Sequence, residues 1–190
     1  MKLFYLCPLL MGIILFEFRP IMTAFNFYLL KATANNCLQD RSNLWLDLVY
    51  NVSIPLPNSN NYYTIFREIT ESMNITVRSN MYKKVKKDWK LEPALSGKSI
   101  RTCAFLKYDI ALIPIFRLFA EIGHSCPIKK GKRLIFNNHI SSPFHPVFMP
   151  GCWNLTLEWL DSNKKVITCV SFVTLQSVDS NYEVDRNNCY

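Results

Sequence analysis

The chain has 190 residues, 49% of them hydrophobic, and 22 Lys and Arg against 14 Asp and Glu give it a net charge of +8. That length makes one domain with room for a real core, and with only five Gly there is no Gly-rich phosphate loop and no G-x-S-x-G nucleophile elbow. The positive charge does not point to nucleic acid, because the chain starts like an exported protein and its main basic run matches no nucleic-acid-binding motif.

The first residues carry Lys2, then an apolar run from Leu3 to Phe16 broken by Pro8, then Glu17, Arg19 and Pro20 before Ala24. A basic start with an apolar stretch too short to span a bilayer is the pattern of a secretory signal, so residues 1–24 are expected to be cleaved and the protein to be extracellular. Lys2, Glu17 and Arg19 leave with the signal, which lowers the net charge from +8 to +7. Cys7 leaves too, and six cysteines remain: Cys37, Cys103, Cys126, Cys152, Cys169 and Cys189. An even number in an oxidising route favours three disulfides over metal ligands. No second hydrophobic run is long and uncharged enough to be an anchor.

Residues 25–176 are expected to form one domain. Leu44, Leu46, Leu48, Tyr50, Val52 and Ile54 share one parity and Asp47, Asn51 and Ser53 the other, which is a half-buried strand. Pro55, Pro57 and the run Asn58 to Asn61 end it in a polar turn. A second alternation starts at Met73, with Ile75 and Val77 facing one way and Asn74, Thr76 and Arg78 the other.

The run Lys83-Lys84-Val85-Lys86-Lys87-Asp88-Trp89-Lys90 follows. It reads either as an attractor of anionic lipid headgroups or acidic glycans, or as a solvated edge strand whose lysines suppress sheet-to-sheet aggregation. The second reading is preferred.

One helix is expected between Lys107 and Gly123: Ile113, Phe116, Phe119 and Ala120 fall at helical spacing, Arg117 and Glu121 form an i, i+4 pair, and Gly123 is a stop. Pro114 places the start of its regular part. The segment Ser141 to Pro150, with three prolines, is a membrane-inserting loop, a gate or a packed cover.

Trp153, Leu155, Leu157 and Trp159 then alternate with Asn154, Thr156 and Glu158, and Asp161 to Lys164 turns the chain into Val166 to Leu175. Pairing this hairpin around a four-residue turn sets Trp159 against Val166, Leu155 against Val170 and Trp153 against Phe172, with all apolar partners on one face. The polar tail, residues 177–190, frays unless Cys189 ties it down. The elements add up to an all-β sandwich of seven to nine strands with one helical insertion.

Three sequons, at Asn51, Asn74 and Asn154, sit on the polar parity of their strands and fit N-glycosylation of an exported chain. No enzyme signature accompanies them. His124, His139 and His145 lack metal-ligand spacing, no HExxH or zinc cysteine pattern occurs, and Cys126 beside His124 cannot be a nucleophile once oxidised. No catalytic residue, metal or cofactor is expected.

The order Thr102-Cys103-Ala104-Phe105-Leu106, a helical stretch, Ser125-Cys126-Pro127-Ile128-Lys129-Lys130-Gly131, the Pro-rich segment ending in Pro150-Gly151-Cys152-Trp153, and a hairpin carrying Cys169 resembles the ganglioside-activator branch of the ML lipid-recognition superfamily. Within that branch it is similar to insect secreted chemosensory proteins of the Che type, linked to pheromone response, and to a related insect secreted family of unknown function. The resemblance covers roughly residues 100–176. It implies an immunoglobulin-like two-sheet β-cup that admits acyl chains. It also implies a Cys103–Cys126 bridge stapling the helical insertion and a Cys37–Cys169 bridge joining the first strand to the last. Cys152 and Cys189 depart from the family pattern and are left to each other.

The same resemblance makes Phe116, Phe119, Phe136, Phe144, Phe148, Trp153, Leu155 and Trp159 candidates for the wall of the cup. The chain is rich in aromatics, with 13 Phe, nine Tyr and four Trp, and small-molecule sites are mostly apolar. Each such residue also has the plainer reading of packed core. Two functions follow: a monomeric binding protein for a lipid or apolar semiochemical, presented at a membrane surface or receptor, or a non-enzymatic module with a self-filled cup whose surface binds a receptor or enzyme.

Overall fold

Four long strands and their neighbours carry most of this structure, a computed structural model that describes residues 25–38, 41–52, 60–109, 112–142, 150–177 and 188–190. The strands are β1 (Phe25–Ala34), β2 (Leu46–Val49), β3 (Tyr62–Ile65), β4 (Thr76–Val85), β5 (Asp88–Leu91), β6 (Ser99–Arg101), β7 (Gly131–Leu134), β8 (His139–Ser142), β9 (Gly151–Leu160) and β10 (Val166–Ser177). The large sheet runs β5-β4-β9-β10-β1-β8 with β6 also on β4, and the small one runs β2-β3-β7. The protein is thus an all-β fold of two antiparallel sheets, with ten strands among the described residues where seven to nine were expected. The expected signal segment, Phe144 and Phe148, and most of the tail lie outside the described residues.

Period-two alternation places the core. On β9, Trp153, Leu155 and Leu157 are buried on one face, and β4 contributes Val77 and Met81 and β10 contributes Val170 to the same cluster. On the outer face, Arg78 lies directly opposite Glu158, with Nη2 and Nε each 2.8 Å from Oε2. The β9–β10 hairpin pairs Leu155 with Phe172, Leu157 with Val170 and Trp159 with Thr168, two positions off the expected register. One of the two extra residues lies in the turn, where Leu160 pairs with Val166 across five residues instead of four, and the other in a bulge between Val166 and Thr168. Because the shift is even beyond the bulge, Val170 and Phe172 keep their face, whereas Val166, before it, pairs with Leu160 on the other parity of β9.

The helical insertion is two helices, not one: α1 (Thr102–Tyr108) and α2 (Leu112–Phe119). Asp109 Oδ1 accepts the backbone N–H groups of Leu112 at 2.6 Å and Ile113 at 2.9 Å, an N-terminal cap that satisfies two orphan donors. Pro114 therefore falls in the first turn of α2, where its missing N–H costs little. The helix ends at Phe119, so Glu121 and Gly123 lie beyond it. Arg117 does not pair with Glu121 at helical spacing; its Nη2 donates to the carbonyls of Leu106 and Gly123, both at 3.1 Å.

The lysine run forms the β4–β5 hairpin. Val85 pairs with Asp88, Lys86 turns the chain at φ 58, and β5 is the last strand of the sheet. This is the place where lysines keep an edge from recruiting another strand.

Strand β1 carried no expectation of its own beyond the name of first strand. Phe27 and Leu29 face the core, but a bulge between Leu29 and Lys31 breaks the alternation. Two tyrosine hydroxyls donate to carbonyls at that break, Tyr50 to Leu29 at 2.6 Å and Tyr190 to Leu30 at 3.4 Å. Cys152, on the outward parity of β9, is nonetheless buried: with Leu30, Leu175 and Cys189 it forms a small second core.

All three expected disulfides are present: Cys37–Cys169, Cys103–Cys126 and Cys152–Cys189. They close loops of very different length, with sequence separations of 132, 23 and 37. In the chain-entropy account longer loops stabilise more, within about 2–5 kcal/mol per bridge. Replacing Cys37 and Cys169 by Ala should therefore lower the urea midpoint more than replacing Cys152 and Cys189. Equal losses would show that the bridge between β10 and the residues after β1 has no special weight.

Candidate functional site

A cavity of about 330 Å³ opens between the sheets and the two helices. Its floor is the inward face of the large sheet: Phe27 and Leu29 of β1, Met81 of β4, Trp153, Leu155, Leu157 and Trp159 of β9, and Val170 and Phe172 of β10. Leu46 and Leu48 of β2, Tyr63 and Ile65 of β3, and Ile135 after β7 come from the small-sheet side. Phe105 and Leu106 of α1 and Ile113, Phe116 and Phe119 of α2 complete the wall, with Phe116 and Phe172 rings 5.1 Å apart. The volume sits at the lower end of the roughly 300–1,000 Å³ typical of small-molecule sites.

Polar groups on this wall are largely consumed by the protein itself. Thr102 Oγ1 donates to the Ile75 carbonyl at 3.0 Å, Thr168 Oγ1 to Asn35 Oδ1 at 2.8 Å, and the Tyr63 hydroxyl to the Glu121 carbonyl. Apart from Ser125, Lys129, Arg133 and Thr174, what remains facing the space is hydrocarbon and aromatic ring, a surface that gains by taking in an apolar guest.

Covalent and polar ties fasten the helices to each other and to the segments that follow them. Cys103–Cys126 staples α1 to the segment after α2, and Arg117 bridges that segment to the end of α1. The end of α2 is fixed by Asn137, whose Nδ2 donates to the Leu118 carbonyl at 2.7 Å, and by Phe136 N–H on the Phe119 carbonyl at 2.9 Å.

Five of the eight expected wall residues meet here: Phe116, Phe119, Trp153, Leu155 and Trp159. Phe136 does not line the cavity; its backbone ties the end of α2 while its side chain is half-buried elsewhere. Residues that sequence reasoning passed over are Phe27, Leu29, Phe105 and Ile113. The Phe25, Phe27, Leu29 alternation was a usable signal, lost beside the apolar leader run.

The sequons divide. Asn74 is not on a strand as expected but in a left-handed turn at φ 50 before β4, with an exposed side chain. Asn51 is exposed just past β2, and Ser53 of its sequon lies outside the described residues. Asn154 is on the outward parity of β9, partly buried, and its Oδ1 accepts the Ser171 hydroxyl at 2.8 Å.

No family model matches the chain, and no curated protein matches it significantly.

Burial pushes the Tyr63 hydroxyl from an ordinary value of 10 up to about 12, with Arg133 pulling it down and Glu121 adding to the rise. The folded chain therefore holds this proton more tightly than the unfolded one. The stability it adds is complete below pH 10 and is lost as pH climbs from there through about 12. Following tyrosinate absorbance, Tyr63→Phe should remove a phenol that titrates at about 12. An unchanged number of phenols titrating at about 12 after the substitution would show that the Tyr63 proton is not held more tightly in the fold.

Proposed function

We propose that this chain is a secreted binding protein for a hydrophobic ligand, a lipid or an apolar semiochemical, which it carries or presents at a chemosensory or other epithelial surface. On this reading it is a lipid-recognition β-cup of the ML type, in the ganglioside-activator-like branch and close in kind to the insect Che-type proteins. The observation that supports it is the largely apolar cavity between the sheets, whose wall hydroxyls at Thr102, Thr168 and Tyr63 are engaged with the protein. Three disulfides are compatible with an extracellular chain, and among the described residues no helix is long and apolar enough to cross a membrane.

An apolar cavity of about 150 Å³ takes up benzene, so on that scale the 330 Å³ here suits a single chain on the order of a dozen carbons. Two long acyl chains do not fit this volume. Ligand uptake then draws on burial of hydrocarbon at about 25 cal/mol per Å².

Native mass spectrometry of the purified glycoprotein should show a co-purifying lipid. Val170→Trp, projecting into the cavity from the middle of β10, should abolish it. The same substitution should cost less than the roughly 1–3 kcal/mol of overpacking a filled core. If no lipid travels with the protein and Val170→Trp destabilises in full, the cup is filled by its own side chains and the surface-interaction module is the correct reading.

A further inference from the structure

The cavity has a definite mouth. Of the residues that line it, the exposed ones are Gly123, Ser125, Pro127 and Lys129, all from the segment between α2 and β7. That segment runs directly into a dense cluster of positive charge: Lys129, Lys130, Lys132 and Arg133 fall within five residues. Lys129 and Arg133 themselves line the cavity, and among the described residues they are its only charged lining residues.

The local backbone aims this charge. Gly131 takes φ 141, a conformation open to Gly and strained for other residues. A Cβ there would stand only 3.2 Å from Arg133 Nη1, so the absence of a side chain lets the guanidinium lie across the strand. Lys132 points elsewhere, with Nζ 3.6 Å from the Tyr62 ring centroid. Arg133 makes one weak hydrogen bond, from Nη1 to the Lys132 carbonyl at 3.4 Å, and neither it nor Lys129 forms an ion pair with a described carboxylate. Glu121 is the acid nearest in effect, acting on the neighbouring Tyr63, and its side chain is exposed and outside the lining. The lysine run at Lys83 to Lys90 plays no part here, since it sits at the far end of β4 from α1 and the Cys126 staple.

An apolar chamber whose charged wall groups, among the described residues, are two cations toward its opening is matched to an amphiphile of one kind. Resting on the ligand-binding reading above, we infer that the mouth is an oxyanion site: the preferred ligand is a single apolar chain ending in a carboxylate or phosphate. The chain enters between the sheets, and the anionic head stays at Arg133 and Lys129. Arg offers a planar fork of donors that fits a carboxylate or phosphate in two parallel bonds, and the head keeps its contact with water, so no ionised group is taken into hydrocarbon.

Three ligands of equal tail length separate the possibilities: dodecanoate, dodecyl phosphate and 1-dodecanol, each titrated calorimetrically into the folded, delipidated protein. Dodecanoate or the phosphate should bind about tenfold more tightly than the alcohol at low salt, and the relative affinity of the two anions identifies the head. Raising the salt should shrink the preference, because a pair at an open mouth is screened. In Lys129→Gln/Arg133→Gln the preference should vanish while the alcohol binds as before. Equal binding of anions and alcohol to the native protein, or a preference that survives the double substitution, overturns this inference and leaves the cavity reading intact. Failure of all three ligands to bind overturns both.

Discussion

The open space between the sheets depends on one joint, where the end of β1, the start of β2 and the beginning of β10 are fastened together. Asn35 is its centre. The residue is 2% exposed, sits in the left-handed region at φ 60, and places every polar group on a partner. Its backbone N–H donates to the Cys169 carbonyl at 2.8 Å, its Nδ2 to the Leu46 carbonyl at 2.5 Å, and its Oδ1 accepts Thr168 at 2.8 Å. An Asn tolerates this backbone better than most residues, and a buried amide is stabilising only when fully paired. Two residues on, Cys37 is bonded to Cys169. The small sheet is thus tied to the large one by covalent and directional bonds, with Tyr50 on the Leu29 carbonyl as a further tie. Sheets held only by interdigitating side chains pack about 10 Å apart with little void. A joint of this kind lets them stand apart elsewhere.

The helices use that freedom. They are short, capped by Asp109 at one end and by Asn137 at the other, and stapled through Cys103. None of those constraints needs the apolar faces of α1 and α2 to fill the space they cover. Packing density is given up where a guest can supply it, and cohesion is recovered through disulfides and satisfied polar groups. The same economy shapes the outer face of the large sheet, where Cys152–Cys189 brings the end of the chain over Leu30 and Leu175 and builds a second, minor core.

Much of this was readable from residue order. The faces of β4, β9 and β10 follow from alternation at Val77, Leu155 and Val170, and the three bridges agree with the cysteine pattern of the resembled family. The failures have local causes. The hairpin register moved because a turn longer by one residue and a bulge together make an even shift, which leaves no mark in a pattern of period two. The single expected helix became two because Asp109 is a cap and Pro114 is harmless in a first turn, whereas Pro114 alone suggested a late start. Asn74 left its strand because a turn at positive φ suits Asn as well as a polar strand position does. The cationic mouth escaped notice for a different reason: Lys129 and Arg133 matter only because the fold brings their segment to the rim of the cavity, and sequence spacing carries no trace of that rim.

The central claim is that an apolar, unfilled chamber exists between the sheets. Crystals of the delipidated protein placed under xenon test it most directly, since xenon enters dry apolar cavities and shows as strong isolated density. The account predicts xenon bounded by Phe119, Leu155, Val170 and Trp159. An absence of xenon there, with the α2 aromatics seated on β9 and β10 and no space between them, would contradict it.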